Sequence, residues 1–230
     1  MIIDADRPVL KVCGLTRVAD IRGAEAAGAD FCGLIVEIER SPRSLTRWQA
    51  VLLARGCRVR PVVVVENFAP DDIARLVEET DAHAVQLHGG DAAYVRAVAD
   101  AVGDAAYIWR PVGLPEAADD REAAVDAALS EIEAALAAGA AAVVLDTRTA
   151  RGTGGSGRTC DWQAAAAVIE RCGAPVILAG GLSPENLREA FEVTHAAGLD
   201  LSSSLERAPG VKCPWRLREL AAAWRALVGD

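Results

Sequence analysis

The strongest constraint in this 230-residue sequence is a repeat of pattern, a short apolar run followed by a helical stretch, eight times over. Buried parallel strands read as continuous runs rich in Val, Ile and Leu, because both of their faces are covered. The runs are Val9–Cys13, Asp30–Val36, Val59–Glu66, Ala84–Leu87, Ala105–Arg110, Ala141–Asp146, Pro175–Ala179 and Leu199–Ser202. Helical stretches follow from Arg17 to Ala27, Thr46 to Arg55, Pro70 onward and Asp91 to Val102. The next ends near Ala138, and the last three open at Asp161, at Ser183-Pro184-Glu185 and at Pro214, this one running to Leu227. Strict alternation implies a parallel sheet. Eight units of even length imply closure into a (β/α)8 TIM barrel, one domain over residues 1–230, rather than a doubly wound sheet.

Composition narrows the partners. Hydrophobic residues make up 52% and aromatic ones only 4%, so the core is built mainly from Val, Ile, Leu and Ala. A net charge of −9 with no basic patch argues against a nucleic-acid partner. An anionic ligand must be held by local donors against that overall field. No apolar run reaches the roughly 20 residues that a membrane span needs. The six cysteines are scattered, with no C-x-x-C pair and no His at metal-ligand spacing. The expectation is therefore no metal, no membrane and free thiols in a reducing cytoplasm.

In such a barrel the site forms at the C-terminal ends of the strands. Those ends carry Cys13, Glu37 to Arg43, Glu66, Asn67, Gln86, His88, Arg110, Asp146, Gly180-Gly181 and Ser202–Ser204. Gly180 and Gly181, with the serines, suit a phosphate cradle at the seventh and eighth loops; the alternative is a plain tight turn. Asp146 closes an apolar run, where burial would raise its pKa and fit it for general acid work, or it caps the next turn. A rim thiol such as Cys13, with Lys11 two residues back on the same face, acts as a base if its pKa is lowered. Chemistry alone favours the blander reading of Cys13 as a small buried apolar residue. Arg43, behind Pro42, has the planar fork that a carboxylate requires, though any single Arg is more commonly a solvated surface group.

Gly152 to Gly157 match G-x-G-x-x-G, but this follows the sixth strand and no acidic residue ends the next one, so a mobile loop over a substrate fits better than a dinucleotide site. His83 and His195 read as structural.

Taken in order, several stretches resemble the phosphoribosylanthranilate isomerase family. They are Lys11-Val12-Cys13-Gly14-Leu15-Thr16, Ser41-Pro42-Arg43, Val85-Gln86-Leu87-His88-Gly89 and Leu145-Asp146-Thr147. Gly154-Gly155-Ser156-Gly157 with Asp161-Trp162 and Leu178-Ala179-Gly180-Gly181-Leu182 with Pro184-Glu185-Asn186 follow. Asp200-Leu201-Ser202-Ser203 with Glu206 and Pro209-Gly210-Val211-Lys212 complete the set. The resemblance implies an Amadori rearrangement of N-(5-phosphoribosyl)anthranilate to 1-(2-carboxyphenylamino)-1-deoxyribulose 5-phosphate in tryptophan biosynthesis. It implies Asp146 as general acid, Cys13 thiolate as general base and Arg43 on the substrate carboxylate. Phosphate would sit on Gly180, Gly181, Ser202, Ser203 and Ser204, and Lys11, Gln86, His88 and Asp200 would complete the pocket. Proton transfer alone needs neither cofactor nor metal. The partner is a small phosphorylated aryl-amine sugar, and the protein would be a monomer or homodimer.

Three departures stand out. Ser204 replaces the family's usual Gly after two serines. Acidic residues occupy Glu37 to Arg40 where members carry an aromatic-rich segment. Cys160 and Cys213 replace an expected Phe and Asp, and read as peripheral. The competing readings are the same chemistry on another aryl or sugar amine in secondary metabolism, a non-catalytic phosphate-ligand barrel, and an aldose–ketose isomerase of histidine or triose metabolism. Retention of Arg43 argues for a carboxylate-bearing aryl group, Cys13 with Asp146 counts against the second, and Cys13 as base does not fit the third.

Overall fold

The computed structural model describes residue 3 and residues 7–117, 119–149, 152–153 and 159–229. The strands are β1 Val9–Cys13, β2 Phe31–Ile35, β3 Arg60–Glu66 and β4 Ala84–His88, then β5 Tyr107–Pro115, β6 Ala142–Thr149, β7 Val176–Leu178 and β8 Gly198–Leu201. Each pairs in parallel with its chain neighbour, and β8 returns to pair with β1 through Val9↔Gly198 to Val12↔Leu201. The barrel is closed, as the sequence predicts. The helices are α1 Val18–Ala26, α2 Arg47–Gly56, α3 Pro70–Thr80, α4 Ala92–Val102, α5 Arg121–Ala137, α6 Trp162–Arg171, α7 Leu187–Thr194 and α8 Pro214–Val228.

Side chains alternate across each strand, and the two faces fill two separate cores. Leu10, Val12, Leu34, Val63, Val85, Val143, Leu145 and Leu199 face the helices. Val9, Phe31, Val62, Ala84, Trp109, Ala142, Val144 and Ile177 fill the barrel interior. Phe31 and Trp109 meet edge to face there, 5.0 Å between ring centres. Helix starts follow local chemistry. Thr46 and Gln49 form a reciprocal capping box on α2, and the carboxylates of Asp91, Asp120 and Asp161 cap α4, α5 and α6.

The largest boundary difference is β5. The sequence reading ends it at Arg110, just before Pro111. The strand runs on to Pro115 along β6. Tyr107 donates its N–H toward β4 (to His83 O) and Ile108 accepts from the β6 side (from Ala141 N). Odd-numbered residues of β5 thus point their backbone groups at β4, whose pairing stops at Gln86↔Trp109. Pro111 and Pro115 fall where no ladder N–H is called for. At the other end the strand starts at Tyr107, after a 3-10 turn at Gly103–Ala105.

Two small elements decorate the C-terminal rim. Gly152–Thr153 pairs antiparallel with the end of β6. Glu206–Ala208 pairs antiparallel with Val211–Lys212 in a hairpin beyond β8. The remainder of the Gly-rich motif, residues 154–157, lies outside the described residues. No described helix is long and apolar enough to cross a membrane.

Candidate active site

The rim opens into a cavity of about 520 Å³. Cys13, Arg43, Gln86, His88, Asp146, Gly180, Gly181, Asp200, Ser202 and Ser203 all line it. Ten of the sequence-derived site residues therefore converge on one space. Ile35, Ile38, Val64 and Leu182 supply an aliphatic wall. Ile38 points inward while Glu37 and Glu39 point to solvent, so the acidic β2–α2 loop still presents an apolar face.

Cys13 sits at the end of β1 and Asp146 on β6, both on the inward strand face and both buried. Gly33, across β2, makes room for the thiol: a Cβ there would lie 2.6 Å from Cys13 Sγ. Burial raises the Asp146 carboxyl to about 6, and Asp200 adds to that; the Thr147 N–H, donating to Oδ1 at 2.7 Å, and Lys11 pull the other way. The expectation for Asp146 thus has its physical basis.

The expectation of a lowered Cys13 pKa is corrected. Burial pushes the thiol up, and the nearby cations Lys11 and Lys212 reduce the rise without reversing it, while Asp200 adds to it. Two cations do stand near the sulfur, as the sequence suggests for Lys11, but desolvation outweighs them.

Lys11 is fully buried and lies beneath the cavity instead of lining it, with Nζ 2.6 Å from Asp200 Oδ2. Burial works against its charge, but Asp200 and Cys13 more than offset this and hold it above the ordinary lysine range. Asp200 lines the cavity, and its Oδ1 is buried with no hydrogen-bond partner among the described residues. Removing either partner of such a buried pair costs about 3–5 kcal/mol.

Arg43 donates from Nε and Nη2 to both oxygens of Glu206 at 2.8 and 2.7 Å. Lys212, wholly buried, donates from Nζ to Cys13 O at 2.7 Å, to Ser202 O at 3.1 Å and to Glu206 Oε1 at 3.0 Å. Burial alone would raise the Glu206 carboxyl; Arg43 and Lys212 instead hold it below the usual range. Glu206 and Lys212 carry no role in the sequence reading, although both fall in its motif stretches. Both follow the serines at the end of β8, and membership of those stretches was the signal that pointed to them.

Gly180 and Gly181 take positive φ, 81° and 63°, which turns the backbone after β7 toward the cavity. Ser202 Oγ donates to Cys13 O at 3.1 Å, tying β8 to β1. Ser204 differs from its expected place. Its hydroxyl is engaged with Leu182 O at 2.6 Å, and the residue does not line the cavity. It lies in a 3-10 turn, Ser203–Leu205, and not at positive φ, so a non-Gly residue is accommodated without strain.

His88 is pushed down to about 4, mainly by burial, and is neutral at physiological pH. Its Nε2 lies 3.3 Å from Gln86 Nε2. Arg110 belongs to the frame: it donates to Leu87 O, Gly89 O and Gly90 O and clamps the β4–α4 loop. Arg40, at the cavity mouth, pairs with Glu66. Cys160 is not peripheral; it is buried and close enough to Asp146 that the carboxylate, after burial itself, helps push its thiol to about 12. Cys213 is the half-exposed N-cap residue of α8. His83 packs against Phe31 and Tyr107, and His195 closes α7 in a left-handed turn, both structural as read. Among the described residues no cluster of three or more His, Cys, Asp or Glu is placed to hold a metal ion.

Comparison with known proteins converges on one family. The family model described as N-(5'-phosphoribosyl)anthranilate (PRA) isomerase matches residues 10–222. The N-(5'-phosphoribosyl)anthranilate isomerase of Methanopyrus kandleri is 35% identical over 232 residues, spanning 95% of this chain and 99% of that protein. The crystal structure of the Thermotoga maritima isomerase superposes with a TM-score of 0.80 at 27% identity, covering 97% of this chain and 100% of that one. A phosphoribosylanthranilate isomerase in complex with reduced 1-(o-carboxyphenylamino)-1-deoxyribulose 5-phosphate superposes with a TM-score of 0.77 at 25% identity, over 96% and 100% of the two chains.

Proposed function

The chain belongs to the N-(5'-phosphoribosyl)anthranilate isomerase family of tryptophan biosynthesis, and from that premise we propose that its rim cavity carries out the Amadori rearrangement with Asp146 as general acid and Cys13 as general base. The observation that carries the reading is the pair itself: a carboxyl raised to about 6 and a buried thiol line the same 520 Å³ space.

The protonated Asp146 carboxyl donates to the furanose ring oxygen. The C1–O bond breaks as the nitrogen lone pair forms the C1=N bond, giving an open-chain iminium. Cys13 as thiolate then removes the proton from C2, and the electron pair moves to neutralise the nitrogen. The resulting enolamine tautomerises to the C2 ketone with the amine on C1. No electrons leave the substrate, so proton carriers suffice.

The two groups work from their less populated states. A carboxyl near 6 and a raised thiol mean that the free site at neutral pH mostly holds carboxylate and thiol. The productive form is the proton tautomer, carboxylic acid and thiolate, which has the same total charge. The raised thiol pKa makes the thiolate a stronger base once formed, and the Lys11 and Lys212 ammonium groups favour it electrostatically.

Substrate binding follows from the remaining lining. Arg43 keeps its Nη1/Nη2 edge for the anthranilate carboxylate, since Glu206 takes the Nε/Nη2 edge. The aryl ring fits against Ile35, Ile38 and Val64. The phosphate fits at Gly180, Gly181, Ser202 and Ser203, which line the cavity together and offer backbone N–H and hydroxyl donors. Local donors of this kind are what an acidic protein needs to hold a dianion.

The test is direct. The labile substrate is generated in situ from anthranilate and a phosphoribosyl donor, and loss of its fluorescence is followed on adding protein. Turnover that disappears in Cys13→Ser and Asp146→Asn, both still folded, supports the assignment; absence of turnover by the intact protein removes it.

A further inference from the structure

Cys32 and Cys57 have no part in the cavity chemistry. Cys32 lies on the outward face of β2, fully buried between strand and helices. Cys57 is the residue that ends α2, half-buried, and lines a separate groove of about 690 Å³ near the start of β3. Their sulfurs are 2.9 Å apart. We propose that Cys32 and Cys57 form a redox-active dithiol, a modification site reached from that groove and oxidised to a disulfide by a low-molecular-weight disulfide.

Three observations carry this. The first is distance. A covalent S–S bond is about 2.05 Å long, so the sulfurs need approach by only about 1 Å. The second is asymmetry of access. Cys57 lines the groove, whose walls carry Arg58 from the α2–β3 connection, Arg60 from the start of β3, and Glu78 and Asp81 from the end of α3. A small zwitterionic disulfide meets both signs there, while Cys32 is sealed behind Cys57. The third is the pattern of the hydrogen bonds. Cys57 Sγ donates to Leu53 O at 3.4 Å, and with its proton so placed it accepts from the thiol of Cys32. That contact lowers the Cys57 pKa and raises that of Cys32, assigning Cys57 as the attacking thiolate.

The sequence of steps balances. Cys57 thiolate attacks one sulfur of the external disulfide R–S–S–R, whose S–S bond breaks, releasing R–S⁻ and leaving Cys57 as a mixed disulfide. Cys32, giving up its proton to solvent or to the departing thiolate, then attacks Cys57 Sγ and expels the second R–S⁻. The two protein thiols are oxidised, the external disulfide is reduced to two thiols, and nothing else changes. The cross-link encloses the segment from β2 to α2, which carries Arg43.

The experiment treats the whole protein with oxidised glutathione under native conditions and maps its cysteines by mass spectrometry. The expected result is loss of two hydrogens and a cross-linked peptide pair joining Cys32 to Cys57, reversed by dithiothreitol. Cys32→Ala is expected to stop at a stable glutathione adduct on Cys57, and Cys57→Ala to leave Cys32 unmodified. A stable adduct on Cys57 of the unaltered protein, a Cys57 that stays unreacted in it, or a cross-link from Cys57 to any other cysteine overturns the proposal. The unaltered protein decides the question even if neither variant folds.

Discussion

Glu206 grips Arg43 through both carboxylate oxygens, at 2.8 and 2.7 Å, and so decides which edge of the guanidinium faces the cavity. A fork held on one side presents its other side at a fixed angle, which is what a planar carboxylate needs. The same Glu206 accepts from Lys212, which in turn holds the carbonyl of Cys13. Arg43 and the end of β1 are thus joined through one carboxylate.

Replacing Glu206 by Gln removes a charge-assisted contact worth about 1.5–3 kcal/mol and frees Arg43 to swing. The expected outcome is a KM for the aryl substrate raised roughly tenfold, with kcat reduced less, since about 1.4 kcal/mol of lost binding is tenfold. Arg43→Lys, which cannot make a bidentate contact, should raise KM at least as much. Steady-state kinetics decide it: an unchanged KM in Glu206→Gln would mean that Arg43 needs no such brace.

The protonation states set the pH profile. Below about pH 6 the carboxyl of Asp146 and the thiol of Cys13 are both protonated and no base is present. Above the thiol pKa, itself raised, both are ionised and no acid remains. Between these limits the pair carries one proton, and the fraction in the productive tautomer stays constant. We therefore expect kcat/KM to rise through an acid limb near pH 6, run flat, and fall on a limb above the ordinary thiol pKa of about 8.5. A profile that peaks sharply near pH 6 and is already falling at pH 7 would contradict the raised thiol.

Much of this site was legible before any coordinates, and the reasons differ residue by residue. The eight apolar runs were readable because a parallel strand buried on both sides cannot hide its composition. Cys13, Asp146 and Ser202 were readable because strand ends alone put side chains at the rim, and Gly180 because a glycine pair after the seventh strand suits a backbone turn there. The length of β5 was not, because Pro111 and Pro115 lose their breaking effect only when the strand on that side has already ended. The direction of the Cys13 shift was not either: a neighbouring lysine is visible in sequence, but the depth of burial that outweighs it is a property of the packed barrel. Glu206 and Lys212 come from a hairpin past the last strand, and nothing in their local spacing says that they reach back under Cys13 and Arg43.

Asp146 also has a stability signature. Its carboxyl titrates near 6 in the fold against about 3.9 in an unfolded chain. With the folded-state value raised, the protonated carboxyl contributes stability that is fully present below about pH 3.9 and lost as pH rises through about 6. At pH 8 the buried carboxylate costs about 2–3 kcal/mol. Asp146→Asn keeps an acceptor for the Thr147 N–H without the charge, so it should melt roughly 5–10 °C higher at pH 8, with the gap closing toward pH 4. The same variant should lack turnover. Thermal melts at the two pH values check the sign, and a variant less stable than the parent at pH 8 would show that the ionised carboxylate is well solvated after all.

Gly180 offers the sharpest separation of packing from chemistry. At φ 81° it already excludes most side chains, and a Cβ there would fall against Thr147 Oγ1, 2.7 Å from Thr147 N and 2.8 Å from Asp146 Oδ1. The Gly180→Ala methyl would therefore press on the Thr147 N–H to Asp146 Oδ1 hydrogen bond as well as on the turn proposed to face the phosphate. Backbone strain at such a position costs about 1–3 kcal/mol. The expected variant is folded, melts several degrees lower, and shows a fall in kcat of at least tenfold together with a raised KM, because acid and phosphate cradle move as one. A rise in KM alone, with kcat intact, would place Gly180 in phosphate binding only and remove the steric coupling between the β7 turn and Asp146.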